Sequence, residues 1–177
     1  MNDQSLPILY LSILVVLLAA AGWFVFRQIL KTRRTETALS KLQAKLTQGK
    51  GSSKEHYELG SIFLDKRLYS QAVAQFQKAL KAKDLEGAEN EALVHNALGF
   101  TYAAQEQFDL AIKQYREALD LLPDYPTALN NLGFAYEKKQ LIPQALETYE
   151  AALKIDAKNA TAKRRAESMR KRLAPAS

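Results

Sequence analysis

The chain has 177 residues and a net charge of +6, with 47% hydrophobic and 25% charged side chains, enough for one ordinary domain plus an appendage. It contains no cysteine, which excludes disulfides and cysteine-based nucleophile or metal chemistry. Residues 27–54 hold eight basic side chains and one acidic, residues 55–153 nine and fifteen, and residues 154–177 eight and two, so an acidic body lies between two basic ends.

From Gln4 to Phe26 there is no charged residue. The stretch "LPILYLSILVVLLAAAGWFVF" is long enough, at ~1.5 Å per residue, to cross a hydrocarbon core of roughly 30 Å. A cleaved signal peptide is the competing reading, because Ala19 to Ala21 offers small residues. No Lys or Arg precedes the apolar run, and the run continues past that site, so an uncleaved single-span anchor is favoured. Arg27, Lys31, Arg33 and Arg34 follow the span, whereas only Asp3 precedes it. The positive-inside bias therefore expects the N-terminus outside and the body on the cytoplasmic or stromal side. Tyr10 and Trp23 stand near the two ends of the span, where amphipathic rings favour the interface.

The sequence from Thr35 to Thr47 favours helix and places Leu39, Leu42 and Leu46 on one stripe. Either the spanning helix continues through it, or it forms an amphipathic segment lying on the membrane surface. "QGKGSS" at Gln48 to Ser53 reads as a flexible joint. The expected organisation is an anchor over 1–30, a basic helical linker and hinge over 31–52, repeats over 53–157 and a basic capping helix with tail over 158–177.

The repeats show when Leu59-Gly60, Leu98-Gly99 and Leu132-Gly133 are aligned. Three residues after each Gly stands an aromatic (Phe63, Tyr102, Tyr136), and sixteen after it another (Phe76, Tyr115, Tyr149). Alanines stand twelve and nineteen after it: Ala72 and Ala79, Ala111 and Ala118, Ala145 and Ala152. Small residues at fixed offsets let two helices of a hairpin approach closely. The second helix of each hairpin is expected to open at Ser70, Asp109 and Pro143, all helix-starting types. One hairpin cannot bury its apolar face alone, and about three stacked units make a core.

The pattern resembles the tetratricopeptide repeat, with units over 53–86, 92–125 and 126–157. The last two units begin thirty-four residues apart, whereas an acidic insertion around "DLEGAENEA" separates the first two by thirty-nine. The fold class expected is all-α: one transmembrane helix, a three-unit solenoid, and a cap in which Ala162, Ala166, Met169 and Leu173 share a face.

No catalytic constellation can be assembled, and neither phosphate-loop nor zinc spacing occurs. An enzyme, a cofactor and a bound metal are therefore not expected. His56 and His95 occupy one repeat position, where the family places a packing Trp, and read as structural. The first helices present Tyr57, Ser61 and Leu64, then Leu93, Asn96, Phe100 and Ala103, then Thr127, Asn130, Phe134 and Glu137 on the concave face, with Asn131 beside them. The functional reading is a peptide groove in which Asn amides hold an extended backbone and Phe rings take apolar side chains. The competing reading has the Phe rings packing on neighbouring hairpins and the Asn residues merely tolerated. The carboxylate clamp found in part of the repeat family is absent, its places being held by Tyr57, Ser61, Thr127 and Asn131. The clusters "KRR" at 163–165 and "RKR" at 170–172 lack interleaved aromatics. A solvated cap is their first reading, anionic lipid contact the second and nucleic acid the last.

The apolar span, the "RRTE" after it, "HYELGSIFLDKRLYSQA", "YEKKQLIPQALETYEAAL" and "AKRRAESMRKRL" together resemble the hypothetical chloroplast reading frame thirty-seven family, related to the plant pale yellow green seven protein. That resemblance implies a thylakoid-anchored repeat protein that assists photosystem I assembly or stabilisation. Photosystem I subunits or assembly factors would be its partners. The alternative is a general membrane-anchored chaperone or stress adaptor with no tie to photosynthesis.

Overall fold

This computed structural model describes residues 5–47, 49 and 51–174; Asp3, Gln48, Lys50 and residues 175–177 lie outside them. Among the described residues the regular structure is entirely α-helical, and the chain divides into two units, one ending at Lys45 and one beginning at Leu46.

The first unit is essentially one helix, α1 (Ser5–Thr47). It runs without a break from the apolar run through the basic stretch, the first of the two arrangements considered for residues 35–47. Its 43 residues make a rod about 65 Å long. The apolar side chains of its N-terminal run are exposed: Val16, Trp23 and Phe24 are 66%, 68% and 69% exposed. The most apolar window, with a mean hydropathy of 2.4, meets the length and polarity requirement for crossing a bilayer.

The second unit is built from α2 (Ser53–Asp65), α3 (Tyr69–Lys81), α4 (Ala88–Ala104), α5 (Phe108–Leu121), α6 (Pro126–Lys138), α7 (Ile142–Ile155) and α8 (Ala160–Leu173). Helices α2/α3, α4/α5 and α6/α7 form three hairpins stacked in sequence order, and α8 packs on α7. The repeated positions explain the pairing. A methyl group added at Gly60, Gly99 or Gly133 would lie within 2.7–2.8 Å of a ring carbon of Phe76, Tyr115 or Tyr149 respectively. Each glycine therefore lets the aromatic of its own second helix lie against the first helix's backbone. Those three rings, with Ala72, Ala79, Ala111, Ala118, Ala145 and Ala152, are almost wholly removed from water. Burying one such aromatic is worth roughly 1.5–3 kcal/mol.

The hairpin turns differ from expectation. Helices α3, α5 and α7 start one residue before Ser70, Asp109 and Pro143, and none has a side-chain N-cap. The reversal is made instead at the end of the first helix, where Arg67, Glu106 and Gln140 adopt φ of 59–60°. The amides of Leu68, Gln107 and Leu141 then bond back to the carbonyls of Phe63, Tyr102 and Tyr136 at 2.8–3.0 Å. This is a Schellman closure with a side-chain-bearing residue where glycine is cheapest. At the N-terminus of α2 a capping box joins Ser52 and Glu55, and Asp84 accepts the Ser53 amide at 2.9 Å. The carboxylate lies where the helix end concentrates positive charge.

The insertion between the first two units is largely helical. Helix α4 has 17 residues against 13 for α6, an additional turn at its N-terminal end. At the other end of the array Ala162, Ala166 and Met169 of α8 are fully buried. Leu173, expected on the same face, is 46% exposed, at the last position of the helix.

Candidate functional site

Helices α2, α4 and α6 line the inner face of the solenoid. Every side chain expected there lies on one of these helices, and their environments differ sharply from unit to unit.

In the first unit the Tyr57 ring packs against Phe76, with centroids 5.6 Å apart. In the second, Asn96 accepts a hydrogen bond from Asn131 Nδ2 (3.0 Å) and donates to the Tyr125 hydroxyl (3.3 Å). Burial first, and the nearby Tyr57 hydroxyl second, push the Tyr125 pKa up, while the bond from Asn96 pulls it back. Tyr125, Asn96 and Asn131 thus form one hydrogen-bonded chain that joins the second and third units. Asn96 acts in it as a strut, with one amide N–H and one lone pair still available. Asn130 stands apart: its Oδ1 is buried and has no hydrogen-bond partner among the described residues.

Phe100 and Phe134 share a repeat position but not a fate. Phe100 is 50% exposed, and Leu93, two turns earlier on α4, is 37% exposed. Phe134 is partly buried, with Lys138 Nζ and Arg165 Cζ each 5.5 Å from its ring centroid, a cation–π arrangement on both counts. Arg165 also reaches both carboxylate oxygens of Glu137 at 2.8 and 2.9 Å, and the Tyr149 hydroxyl donates to the same carboxylate at 3.4 Å. The cap helix therefore closes the inner face of the third unit and leaves the second open.

The open part deepens towards the N-terminal ends of α2 and α4 into a cleft of about 380 Å³. Lys54 and Tyr57 form one wall, and Glu86, Asn90 and Leu93 the other. The second wall belongs to the inserted segment and the extra turn it adds to α4. An aliphatic side chain entering it would meet Tyr57 and Leu93, with the polar groups of Lys54, Glu86 and Asn90 at the rim.

The two histidines are held inside their hairpins. His56 Nδ1 pairs with Gln75 Oε1 at 2.8 Å and His95 Nδ1 with Gln114 Oε1 at 2.9 Å. These bonds join first helix to second where the third unit has Leu129 and Thr148. Among the described residues no cluster of three His, Cys, Asp or Glu side chains is placed to hold a metal. Half of the cap's clustered cations have internal partners: Arg165 with Glu137, Arg170 with Glu150 at 2.7 Å, and Arg172 with Gln140 at 2.7 Å.

Sequence reasoning missed Lys54, Glu86, Asn90, Tyr125 and Arg165. The five residues by which the first spacing exceeds the second pointed to Glu86 and Asn90. Counting thirty-four residues on from Asn131 reaches Arg165, which puts α8 in the register of a first helix.

Stacked helical hairpins with small residues at the contacts define a tetratricopeptide-repeat protein, a fold that presents an extended surface for protein interactions. Tetratricopeptide-repeat family profiles match residues 56–84, 99–140 and 126–159. The crystal structure of MamA superposes with a TM-score of 0.72 at 18% identity, covering 80% of both chains, which supports the fold alone. Among relatives, the chain is 37% identical over 161 residues, 91% of each chain, to the uncharacterized protein ycf37 of Cyanophora paradoxa. It is 36% identical to the tetratricopeptide repeat domain-containing protein PYG7, chloroplastic, of Arabidopsis thaliana, covering 97% of this chain and 56% of that one. The photosystem I assembly protein Ycf3 of Synechococcus is 30% identical over 105 residues, 58% of this chain and 60% of its own. The chain belongs to the Ycf37 family.

Proposed function

We propose that this protein is a membrane-tethered scaffold that assists assembly or stabilisation of photosystem I. In this reading α1 crosses the thylakoid membrane with its N-terminus in the lumen, and the repeats work on the stromal or cytoplasmic side. The Lys and Arg residues after the span support that orientation, and the similarity to an assembly protein of photosystem I supports the client.

The observation that carries the proposal is the uncovered strip of Leu93 and Phe100 beside the cleft between α2 and α4. An exposed segment of a subunit docks there, its apolar side chains on Phe100 and in the cleft, with Asn96 and Asn90 bonding its backbone. Tyr57, Asn131, Asn130 and Phe134 complete the face as structural or peripheral members. Tethering raises the effective concentration of a partner confined to the same surface, so modest intrinsic affinity suffices.

The test is affinity capture from mildly solubilised photosynthetic membranes. Wild type is compared with Leu93→Asp/Phe100→Asp after circular dichroism has verified equal helicity. Photosystem I subunits recovered by the wild type and lost by the variant support the reading. Equal recovery removes the inner face from it, and an absence of photosystem components from both removes the client.

A further inference from the structure

We infer that the basic part of α1 is a binding site for anionic lipid head groups, formed by Arg27, Lys31 and Arg34; the inference rests on α1 spanning the membrane. The positive-inside bias requires only that cations be numerous after a span, on any face of the chain. What it does not require is their alignment. Because α1 continues unbroken from the apolar run to Thr47, residues at spacings of four and three fall on one face. Arg27, Lys31 and Arg34 have that spacing, and Lys41, two turns further on, continues the row.

All four are exposed. Phe24, Arg27, Gln28, Lys31 and Arg34 line a single shallow concavity on the helix. Its lower edge is the aromatic Phe24, which belongs to the apolar run, and its upper part is cationic. A lipid would place its first acyl methylenes against Phe24 and its phosphate among Arg27, Lys31 and Arg34. The guanidinium groups suit that anion, since their forked donors bind two oxygens at once. Leu39 and Leu42 lie beside the row and are partly buried. The occupant is therefore a phospholipid of negative head group, taken from the leaflet on the side of the repeats, and its retention fixes how far α1 sinks into the bilayer.

The test uses the full chain purified in mild detergent with equimolar phosphatidylcholine and phosphatidylglycerol, read by native mass spectrometry. Its comparator is the exchange variant Ile29→Lys/Lys31→Ile/Arg34→Ser/Ser40→Arg, which keeps composition and cation count but leaves Arg27 as the only original cation of the concavity. The expected result is a preference of roughly tenfold for phosphatidylglycerol in the wild type, lost in the variant, with both proteins resisting alkaline extraction from membranes and showing equal helicity. Equal retention of the two lipids by the wild type, or an undiminished preference in the variant, overturns the site. Release of the wild type by alkaline extraction overturns the anchor and the site together, whereas resistance without lipid preference overturns the site alone.

Discussion

The second and third units contain the same Leu-Gly-Phe sequence, and each places an Asn one turn before that Phe, yet one face is open and the other closed. At Phe100 the ring is half in water. At Phe134 the ring lies under Arg165, whose guanidinium also grips Glu137. The difference does not arise within the repeats themselves. It comes from the helix stacked next on each of them: α6 succeeds the second unit and bonds to it through Asn131, whereas α8 succeeds the third and contributes an arginine at the same register. A repeat position thus fixes where a side chain stands, and the next element decides whether that side chain remains available to a partner.

The comparison can be broken most severely at the rings themselves. Phe134→Ala is expected to lower stability by about 2 kcal/mol, since a partly buried aromatic and its two cationic contacts are lost. Phe100→Ala should stay within about 0.5 kcal/mol, as for an ordinary surface change. Urea unfolding of the two variants reads the contrast directly. Equal losses at both positions would show that the second unit is closed as well.

The glycines come next. Gly99→Ala and Gly133→Ala each gain helix propensity of about 1 kcal/mol but force Tyr115 or Tyr149 out of a filled site, a cost of roughly 1–3 kcal/mol. Both should be destabilised, Gly99→Ala the more, because the added methyl there also meets the Ala111 carbonyl at 3.2 Å. Thermal unfolding checks the order.

Glu137→Gln should cost about 1 kcal/mol, the scale of a charge-assisted pair that keeps some exposure. It should also raise the protease sensitivity of α8 more than that of α2, which limited proteolysis reads.

The smallest effect is at the turns. Glu106→Gly relieves a left-handed residue and should gain up to about 1 kcal/mol, less the added freedom of the unfolded chain. Gln140→Gly relieves the same strain but loses the bond from Arg172 and should be close to neutral. Paired denaturation curves separate the two.

Much of the architecture was legible in the sequence because it depends on spacing. The recurrence of Leu-Gly, the aromatics and the alanines located the hairpins, and the uncharged run located the long apolar helix. The turn chemistry was not legible, since Arg67, Glu106 and Gln140 are not residues that advertise a positive φ. Nor was the exposure of the inner face. Asn96 and Asn130 look interchangeable by register, but whether an amide meets Asn131, as Asn96 does, depends on the offset of the next helix. The cleft between α2 and α4 was hidden for a similar reason: the spacing shows that residues are inserted but not that α4 absorbs most of them as one further turn.

The central question is which of the two phenylalanine positions meets a partner. A photoactivatable cross-linking residue is placed at position 100 or at position 134 in the full chain, in native photosynthetic membranes. Cross-links to a photosystem I subunit from position 100, with none from position 134, are expected from an open second unit and a capped third. Cross-links from position 134 alone would contradict it and would place the binding surface under the cap helix.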